Sequence, residues 1–349
     1  MSRRERSEMD FSSIRKILII RLRRMGDNIM TTPVITALKK GCPQASLTYV
    51  VEQPFREIVE GNPYLSRIIV LPRKQKSRDL IKSIKQIRKT KYDVLIDLFG
   101  GPKAAWITLF TKARLKIGYA VRYKSFIYDR RISRSPEKGP IHSVENHINL
   151  VRALGIEVNP IPPLLVPEAS GEEKEKISDF IEKNNLDRFK IIVFHIGAGS
   201  MFRDWGKDNM VELIKMLSQG PKTRIILIGS TEDQKRAEQI VKESGVQLFS
   251  LAGRLGLKEL RELINRSDLF VGPDSGPMHL AASTETPIVA YFGPTLPARF
   301  RPWKANAFII EKDYECRFSC RQKKCVYGDF RCIKTITPEE VTKACLEFL

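Results

Sequence analysis

The sequence has no apolar run that approaches the roughly 18 residues of a membrane-spanning helix. Its first ten residues also lack the apolar core of a secretory signal, which predicts a cytoplasmic location. An excess of disordered segments is not indicated, because 42% hydrophobic and 29% charged residues are the proportions of an ordinary globular protein. At 349 residues the chain is too long for one ordinary core, so we expect two domains.

Acidic residues are scarce in the first half of the chain. Residues 1–167 contain 32 Lys and Arg against 14 Asp and Glu, a net charge of +18. Residues 168–349 contain 28 against 26, a net charge of +2. A positive field of this kind favours anionic partners: nucleic acid, an anionic membrane surface, or a phosphorylated and carboxylated substrate. Charge alone also fits a merely soluble surface.

Cysteine is rare outside one segment. Four of the six cysteines lie close together in the sequence, namely Cys316, Cys320, Cys325 and Cys332. In a reducing compartment such a group of cysteines is more typical of a metal site or of free thiols than of disulfides. The intervening spacings are looser than in a CxxC pair and no His lies among them, so zinc and free thiols both stay open, and any metal would be structural.

Short apolar runs predict four strands in the first half, and five more follow in the second half. The nine predicted strands lie at 17–21, 47–51, 67–71, 94–98, 191–196, 224–229, 247–251, 269–272 and 288–292. They alternate with amphipathic stretches, as in parallel sheets covered by helices. The alternation stops at 158–172, which contains four prolines, and then restarts. Two successive βαβ arrays predict an α/β fold of two Rossmann-like doubly wound domains facing a central cleft. We expect an N-terminal domain at 1–160, a linker at 161–171, a second domain at 172–335 and a C-terminal helix at 336–349.

Ligands of such sheets bind beyond the carboxyl ends of the strands, so the residues that follow each strand are the candidates. After the first strand, Gly26 is expected to turn the chain and Asp27 to stand where the first helix begins. Asp27 is either a helix N-cap or a general base acting on a hydroxyl. Its position alone favours neither.

Two junctions of the second half indicate nucleotide contacts only weakly. One strand is followed by Gly197, Gly199 and Ser200, whose backbone amides and hydroxyl can face a phosphate. Arg203 adds a guanidinium that can donate two hydrogen bonds to the same anion. Asp233 follows another strand, where an acidic residue either accepts hydrogen bonds from a ribose or stabilises the first turn of a helix.

The most informative segment runs from Asp274 to Ala282. Ser275 and Gly276 open a helix whose amides make a site for a diphosphate, and His279 follows on the same helical face. The alternative is that Asp274 and Ser275 are ordinary caps and that His279 is a partly buried imidazole. The shared face favours the functional interpretation.

These junctions resemble the bacterial heptosyltransferases of lipopolysaccharide assembly, glycosyltransferase family 9 enzymes of the GT-B fold, and are most similar to the heptosyltransferase II group. The resemblance covers nearly the whole chain. Its most specific parts are R-x-x-G-D-x-x-x-x-x-P, filled by Arg23, Gly26, Asp27 and Pro33, and D-S-G-P-x-H-x-A-A at 274–282. Phe292-Gly-Pro-Thr295 also looks like the family's strand and turn after that helix.

The resemblance implies a role for each candidate. Asp27 matches the proposed catalytic base, and Gly26 lies beside it. Ser275, Gly276 and His279 match residues around the donor diphosphate, and Asp274 is the first residue of that motif. Arg203 stands where Lys is usual, Gly206 stands where Pro is usual, and Asp233, or else Glu232, aligns with an acidic nucleotide contact.

The implied reaction transfers heptose from ADP-L-glycero-D-manno-heptose, with inversion, to the Kdo-bearing lipid A core. The enzyme is then cytoplasmic and in peripheral contact with the inner membrane, and it binds no nucleic acid. No Asp-x-Asp pair occurs, which argues against a divalent metal cofactor on the diphosphate. The anionic acceptor suits the basic first domain, and the basic residues expected to touch it are Arg122, Lys124, Arg130, Arg131 and Arg134.

Three alternatives stay open. A transferase of another nucleotide sugar would carry the same motifs, because motifs for diphosphate binding do not identify the sugar. A nucleotide-sugar epimerase needs no lipid acceptor and so leaves the basic first domain without a reason. A nucleic-acid-binding protein would be permitted by the charge, but no basic recognition helix with interleaved aromatic residues is present in the sequence.

Overall fold

The computed structural model describes residues 13–74, 77–120, 125–134, 139–220 and 222–349, and it confirms the predicted α/β fold class. The chain divides into two compact units, Met1–Pro167 and Glu168–Leu349, here called the first and second units. This division falls inside the Pro-rich segment, and residues 153–170 form neither helix nor strand. Among the described residues, no helix is both long enough and apolar enough to cross a membrane.

The first unit contains a six-stranded parallel sheet in the order β3-β2-β1-β4-β5-β6. Its strands are β1 (Lys16–Ile20), β2 (Ser46–Glu52), β3 (Leu65–Leu71), β4 (Tyr92–Asp97), β5 (Ala113–Tyr119) and β6 (Arg130–Ile132). Its helices are α1 (Met25–Ile29), α2 (Thr32–Gly41), α3 (Ser77–Arg88), α4 (Pro102–Phe110) and α5 (Ser143–Arg152), with 3-10 helices at Gln53–Ile58 and Ser125–Ile127.

The second unit repeats this plan in a sheet of order β12-β11-β10-β7-β8-β9. Its strands are β7 (Lys190–His195), β8 (Thr223–Ile228), β9 (Leu248–Ser250), β10 (Leu269–Pro273), β11 (Ile288–Phe292) and β12 (Ala307–Glu311). Its first five α-helices are α6 (Gly171–Lys183), α7 (Lys207–Ser218), α8 (Gln234–Ser244), α9 (Leu257–Asn265) and α10 (Gly276–Ala281). They are followed by α11 (Pro297–Phe300), α12 (Cys316–Ser319), α13 (Arg331–Lys334) and α14 (Pro338–Leu346), and 3-10 helices lie at Leu186–Arg188, Met201–Arg203 and Thr231–Asp233.

The central strands form because their apolar runs are covered on both faces. Residues 17–20 of β1 and all of β10 and β11 are buried, as parallel sheets between helices require. Counted within its own unit, each sheet has the strand order 3-2-1-4-5-6. The order reverses between β1 and β4 in the first unit and between β7 and β10 in the second. Ligands of doubly wound sheets bind at such a reversal, beyond the carboxyl ends of the strands.

Candidate active site

Asp27 lies just beyond the carboxyl end of β1, and it is not a helix N-cap. The N-cap of α1 is Arg24, whose φ of +60° makes the turn, so Gly26 lies inside the helix and the expectation that Gly26 turns the chain was wrong. Asp27 falls in the first turn of α1, and one oxygen of its carboxylate, Oδ2, lies 2.8 Å from the Arg21 guanidinium. The Asp27 side chain is 29% exposed, so a substrate can reach it.

Arg21 connects the two strand ends at the reversal point of the first sheet. Its buried guanidinium donates to the carbonyl oxygen of Leu98 at 2.6 Å and lies over the Phe99 ring, 5.5 Å from the centroid. Leu98 and Phe99 follow β4, whereas Asp27 follows β1. Arg21 therefore fixes the direction of the Asp27 carboxylate against the neighbouring strand end. Arg21 was not among the predicted site residues, although an arginine directly after an apolar strand was a usable signal.

Two more carboxylates of the first unit were missed because they are buried. Asp97 ends β4 and accepts hydrogen bonds from the Tyr128 hydroxyl at 2.6 Å and from the amides of Phe99 and Gly100. Burial raises the pKa of Asp97. Glu52 ends β2 and pairs with the Lys103 ammonium at 2.7 Å. Both carboxylates hold loops of the strand-end edge in place.

The basic segment is only partly described, because Arg122 and Lys124 lie outside the described residues. Arg134 follows β6, lies 3.8 Å from the centroid of the Tyr119 ring and donates to the Phe99 carbonyl at 3.0 Å. Arg134 and Arg21 thus both contact the loop after β4. Arg130 instead donates to the Ala153 carbonyl, which ties it to the end of α5.

In the second unit, Arg203 joins the ends of the two strands at the reversal point. It closes the 3-10 helix after β7, donates to the Asp274 carbonyl at 2.9 Å, and its guanidinium lies 3.6 Å from the Asp274 carboxylate. Ser200 caps this 3-10 helix by accepting from the Phe202 amide. Its hydroxyl therefore has a structural task in addition to any contact with a ligand.

Ser275 is the N-cap of α10, but its side chain does not cap the helix. Its hydroxyl lies 3.1 Å from Nδ1 of His195, the last residue of β7. Gly276 and Pro277 are the first two residues of α10, and His279 is buried in the same short helix. The interpretation of Ser275 as an ordinary cap is therefore wrong, whereas the diphosphate role of this helix start stays a prediction.

His195 is the functional candidate that the sequence analysis missed. It is buried, and desolvation lowers its pKa to about 4, opposed by the carboxylate of Asp233 and assisted by Arg203. A Cβ placed on Gly197 would lie 2.5 Å from Oδ2 of Asp233 and 3.1 Å from Nε2 of His195. Gly197 therefore permits the close approach of these two side chains, and the imidazole is neutral at pH 7.

Asp233 has a structural partner of its own. Its Oδ2 accepts hydrogen bonds from the amide and the hydroxyl of Ser230, which form a capping box around the 3-10 helix at Thr231–Asp233. Asp233 is half-buried and Glu232 is exposed. Of these two carboxylates, Asp233 is the one beside His195.

The backbone conformation at position 206 explains why glycine stands there and not the proline that is usual in the family. Gly206 is the N-cap of α7 with a φ of +103°, a value that proline cannot adopt. The adjacent Trp205 is fully buried and donates from its indole to the Ile336 carbonyl at 2.7 Å. The loop that carries Arg203 is therefore anchored in the core by Trp205 and shaped by glycine.

The four clustered cysteines lie close to one another but do not form a ligand set. Burial raises the pKa of Cys332 to about 11, and the neighbouring Cys316, Cys320 and Cys325 act in the same direction. The thiol of Cys325 instead accepts hydrogen bonds from backbone amides, chiefly that of Phe330, and these lower its pKa. Within the described ranges, no group of His, Cys, Asp or Glu has the arrangement of a metal site.

The structure thus gathers the candidates into one set in each unit. In the second unit, the ends of β7 and β10 bring together His195, Ser275, Arg203 and Asp274, and Asp233 approaches His195 from the end of β8. In the first unit, Asp27 and Arg21 stand beside the loop after β4.

Comparison with known proteins identifies the family. The model of glycosyltransferase family 9 (heptosyltransferase) matches residues 80–330. Lipopolysaccharide heptosyltransferase 3 of Escherichia coli (strain K12) is 26% identical to this chain over 293 residues, which cover 82% of this chain and 84% of that protein.

Two solved structures share the fold. The family 9 glycosyltransferase from Veillonella parvula DSM 2008 aligns with a TM-score of 0.85 at 23% identity, over 98% of both chains. The E. coli ADP-heptose LPS heptosyltransferase II aligns with a TM-score of 0.78 at 23% identity, over 95% of this chain and 98% of that one. These similarities confirm the predicted GT-B fold. Because the family model spans most of the sequence, the chain belongs to glycosyltransferase family 9, the heptosyltransferase family, and is a glycosyltransferase.

Proposed function

We propose that the protein transfers heptose from ADP-L-glycero-D-manno-heptose to the inner core of lipopolysaccharide, with inversion at the anomeric carbon. Relatives that are named as lipopolysaccharide heptosyltransferases support this assignment, as does the name ADP-heptose LPS heptosyltransferase II for a protein of the same fold. The observation that carries the proposal is the set of groups at the reversal point of the second sheet. It combines a helix start, a buried neutral imidazole, a hydroxyl and a forked cation.

The donor is assigned to the second unit. The amides at Ser275 and Gly276 and the Arg203 guanidinium would hold the diphosphate, and His279 would donate to it from the same helix. Asp233, after the neighbouring strand β8, would accept a hydrogen bond from the ribose. The leaving ADP gains negative charge as the glycosidic bond breaks, so these donors lower the barrier without a divalent metal.

The base is assigned to Asp27. The ion pair with Arg21 fixes the direction of its carboxylate. A carboxylate suffices as the base, because the acceptor hydroxyl becomes acidic only as its oxygen bonds to the anomeric carbon. One carboxylate then suffices for a single displacement from the face opposite the leaving ADP, which inverts the configuration.

The acceptor is assigned to the first unit. A Kdo-bearing lipid A core is anionic, and residues 1–167 carry a net charge of +18. Arg134, beside the loop after β4, is the described residue of the basic segment that best fits an acceptor contact. The enzyme would work on the cytoplasmic side of the inner membrane, in peripheral contact with it.

The test is incubation with a panel of nucleotide sugars and truncated Kdo-lipid A acceptors, with products identified by mass spectrometry. We expect one heptose to be added from ADP-heptose alone, and NMR of the product to show the inverted anomer. Transfer from another nucleotide sugar would contradict the donor. Conversion of the donor to an isomer without an acceptor would instead identify an epimerase.

A further inference from the structure

Helix α4 of the first unit is apolar on its outward side as well as on its inward side. Inward, Ala104 and Ile107 are buried. Outward, Trp106 is 53% exposed, and Leu109 and Phe110 are also exposed. The single charged residue, Lys103, is paired with the buried Glu52 and so is directed at the protein. A helix that is hydrophobic all round is normally covered on every side.

The exposed apolar surface extends beyond α4. The rings of Trp106 and Phe110 stack with centroids 5.6 Å apart, so the two exposed aromatic side chains are neighbours. Helix α4 packs beside α3 and beside the 3-10 helix at Ser125–Ile127. Each of these neighbours adds one exposed apolar side chain, Ile81 and the 75% exposed Phe126. We call these five residues the α4 patch: Ile81, Trp106, Leu109, Phe110 and Phe126.

Positive charge lies next to the patch. Helix α3 carries four basic residues and one acidic residue, and Lys82 and Lys85 on it are exposed. Lys112 and Arg114, directly after α4, are exposed as well. An apolar surface with aromatic rings and a basic border has the two features that bind a protein to an anionic bilayer: insertion at the headgroup level and attraction to anionic lipid.

We propose that the α4 patch docks the protein on an anionic membrane surface, with Trp106 and Phe110 inserted among the headgroups. The proposal deepens the proposed function, since it rests on a lipid-borne acceptor and names the surface that would bring the first unit to it. A second copy of the chain is a poorer occupant. Self-association through this face would bring together two units that each carry +18.

The experiment uses the full chain and vesicles of phosphatidylglycerol and phosphatidylethanolamine, with phosphatidylcholine vesicles for comparison. We expect sedimentation with the anionic vesicles only. The double variant Trp106→Ser/Phe110→Ser should bind them about tenfold more weakly, because it removes the inserted rings. Lys82→Gln/Lys85→Gln should reduce the preference for anionic lipid. A matched control, Phe318→Ser, removes a 72% exposed aromatic ring of the second unit and should change nothing.

A second readout separates this proposal from the proposed function. Turnover on a deacylated, water-soluble acceptor should be the same in Trp106→Ser/Phe110→Ser as in the wild type, because the patch acts on membrane contact alone. Equal vesicle binding by wild type and double variant would overturn the docking proposal, as would a dimer in analytical ultracentrifugation that the double variant abolishes. Vesicle binding without heptose transfer by the wild type would overturn the proposed function and leave the docking surface standing.

Discussion

The two units share one sheet order but end their first strands in different ways. After β1, the first unit presents the Asp27 carboxylate, held by the buried Arg21 against the loop after β4. After β7, the second unit presents the neutral His195 against the Ser275 hydroxyl, with Arg203 bound to the start of the motif at Asp274. One edge thus offers a single accessible acid and the other a group of hydrogen-bond donors. In the proposed reaction, the first unit would remove a proton from the acceptor and the second unit would hold the anionic diphosphate.

The largest effect is expected for Asp27→Asn, which should lower transfer by about a thousandfold, within the range for loss of a general base. The affinity for ADP, measured by calorimetry, should remain within about twofold of the wild type, because Asp27 acts on the acceptor and not on the donor. A control, Glu157→Gln, changes an exposed acid of the same unit and should keep full activity. Near-normal turnover in Asp27→Asn would remove Asp27 from the mechanism.

The mirror experiment on the second unit is Arg203→Ala, which should weaken ADP binding by about a hundredfold through loss of charge-assisted hydrogen bonds to phosphate. Arg203→Lys keeps the charge and should recover most of that loss, although a single ammonium cannot reproduce the fork that also binds the Asp274 carbonyl. Calorimetry with ADP measures both variants. Unchanged ADP affinity in Arg203→Ala would mean that Arg203 only supports the loop.

The sequence predicted the central strands β1, β10 and β11 and two of the four edge strands, β3 and β9. Strands β1, β10 and β11 are uninterrupted apolar runs because helices cover both faces. Strands β5, β6 and β12 were not predicted. β5 and β6 include arginines and lysines, which interrupt the apolar run that marks a buried strand. Four strands were expected in the first half, and six are present among the residues that the structure describes there.

Candidate site residues could be selected from the sequence within one motif, but contacts between distant strands could not be predicted. Asp27, Asp274 and Ser275 belong to short patterns that can be found along the chain. The pairing of Ser275 with His195 joins residues 80 positions apart, and that of Arg21 with Leu98 joins residues 77 apart. No local period encodes such contacts, because they depend on which strands become neighbours in the sheet.

A third prediction concerns His195, whose pKa of about 4 lies below that of an exposed histidine, 6.5. The unfolded chain takes up a proton there below pH 6.5, whereas the folded protein does not until about pH 4. Stability is therefore present above pH 6.5 and is lost as the pH falls towards 4, by about 2 kcal/mol between pH 7 and pH 5. Denaturant unfolding of wild type and His195→Gln should show this difference in pH dependence. The buried His147 is common to both proteins and cancels, and equal pH dependence would contradict the burial of a neutral His195.

The smallest expected effect is on stability, and it compares the backbone conformation at the start of a helix in each unit. The first α-helices after β1 and β7, α1 and α7, both begin at an N-cap with positive φ. The N-cap is Arg24 at +60° in the first unit and Gly206 at +103° in the second. Arg24→Gly should stabilise the protein by about 1 kcal/mol, because glycine adopts this conformation without strain. Gly206→Ala should destabilise it by about 1 kcal/mol.

Two controls separate backbone strain from contact in this last comparison. A Cβ on Gly206 would also lie 2.9 Å from the Lys334 ammonium, so Gly206→Ala is repeated in a Lys334→Ala background. An unchanged cost there assigns the effect to φ, since the flexible lysine is gone. Gly171→Ala, at a helix start with nothing within 4 Å, should be neutral by the same denaturant unfolding. If Arg24→Gly instead destabilised the protein, contacts of the Arg24 side chain would contribute more to the free energy of unfolding than its strained backbone costs. Arg24 would then be required for its side chain, and Gly206 for its backbone.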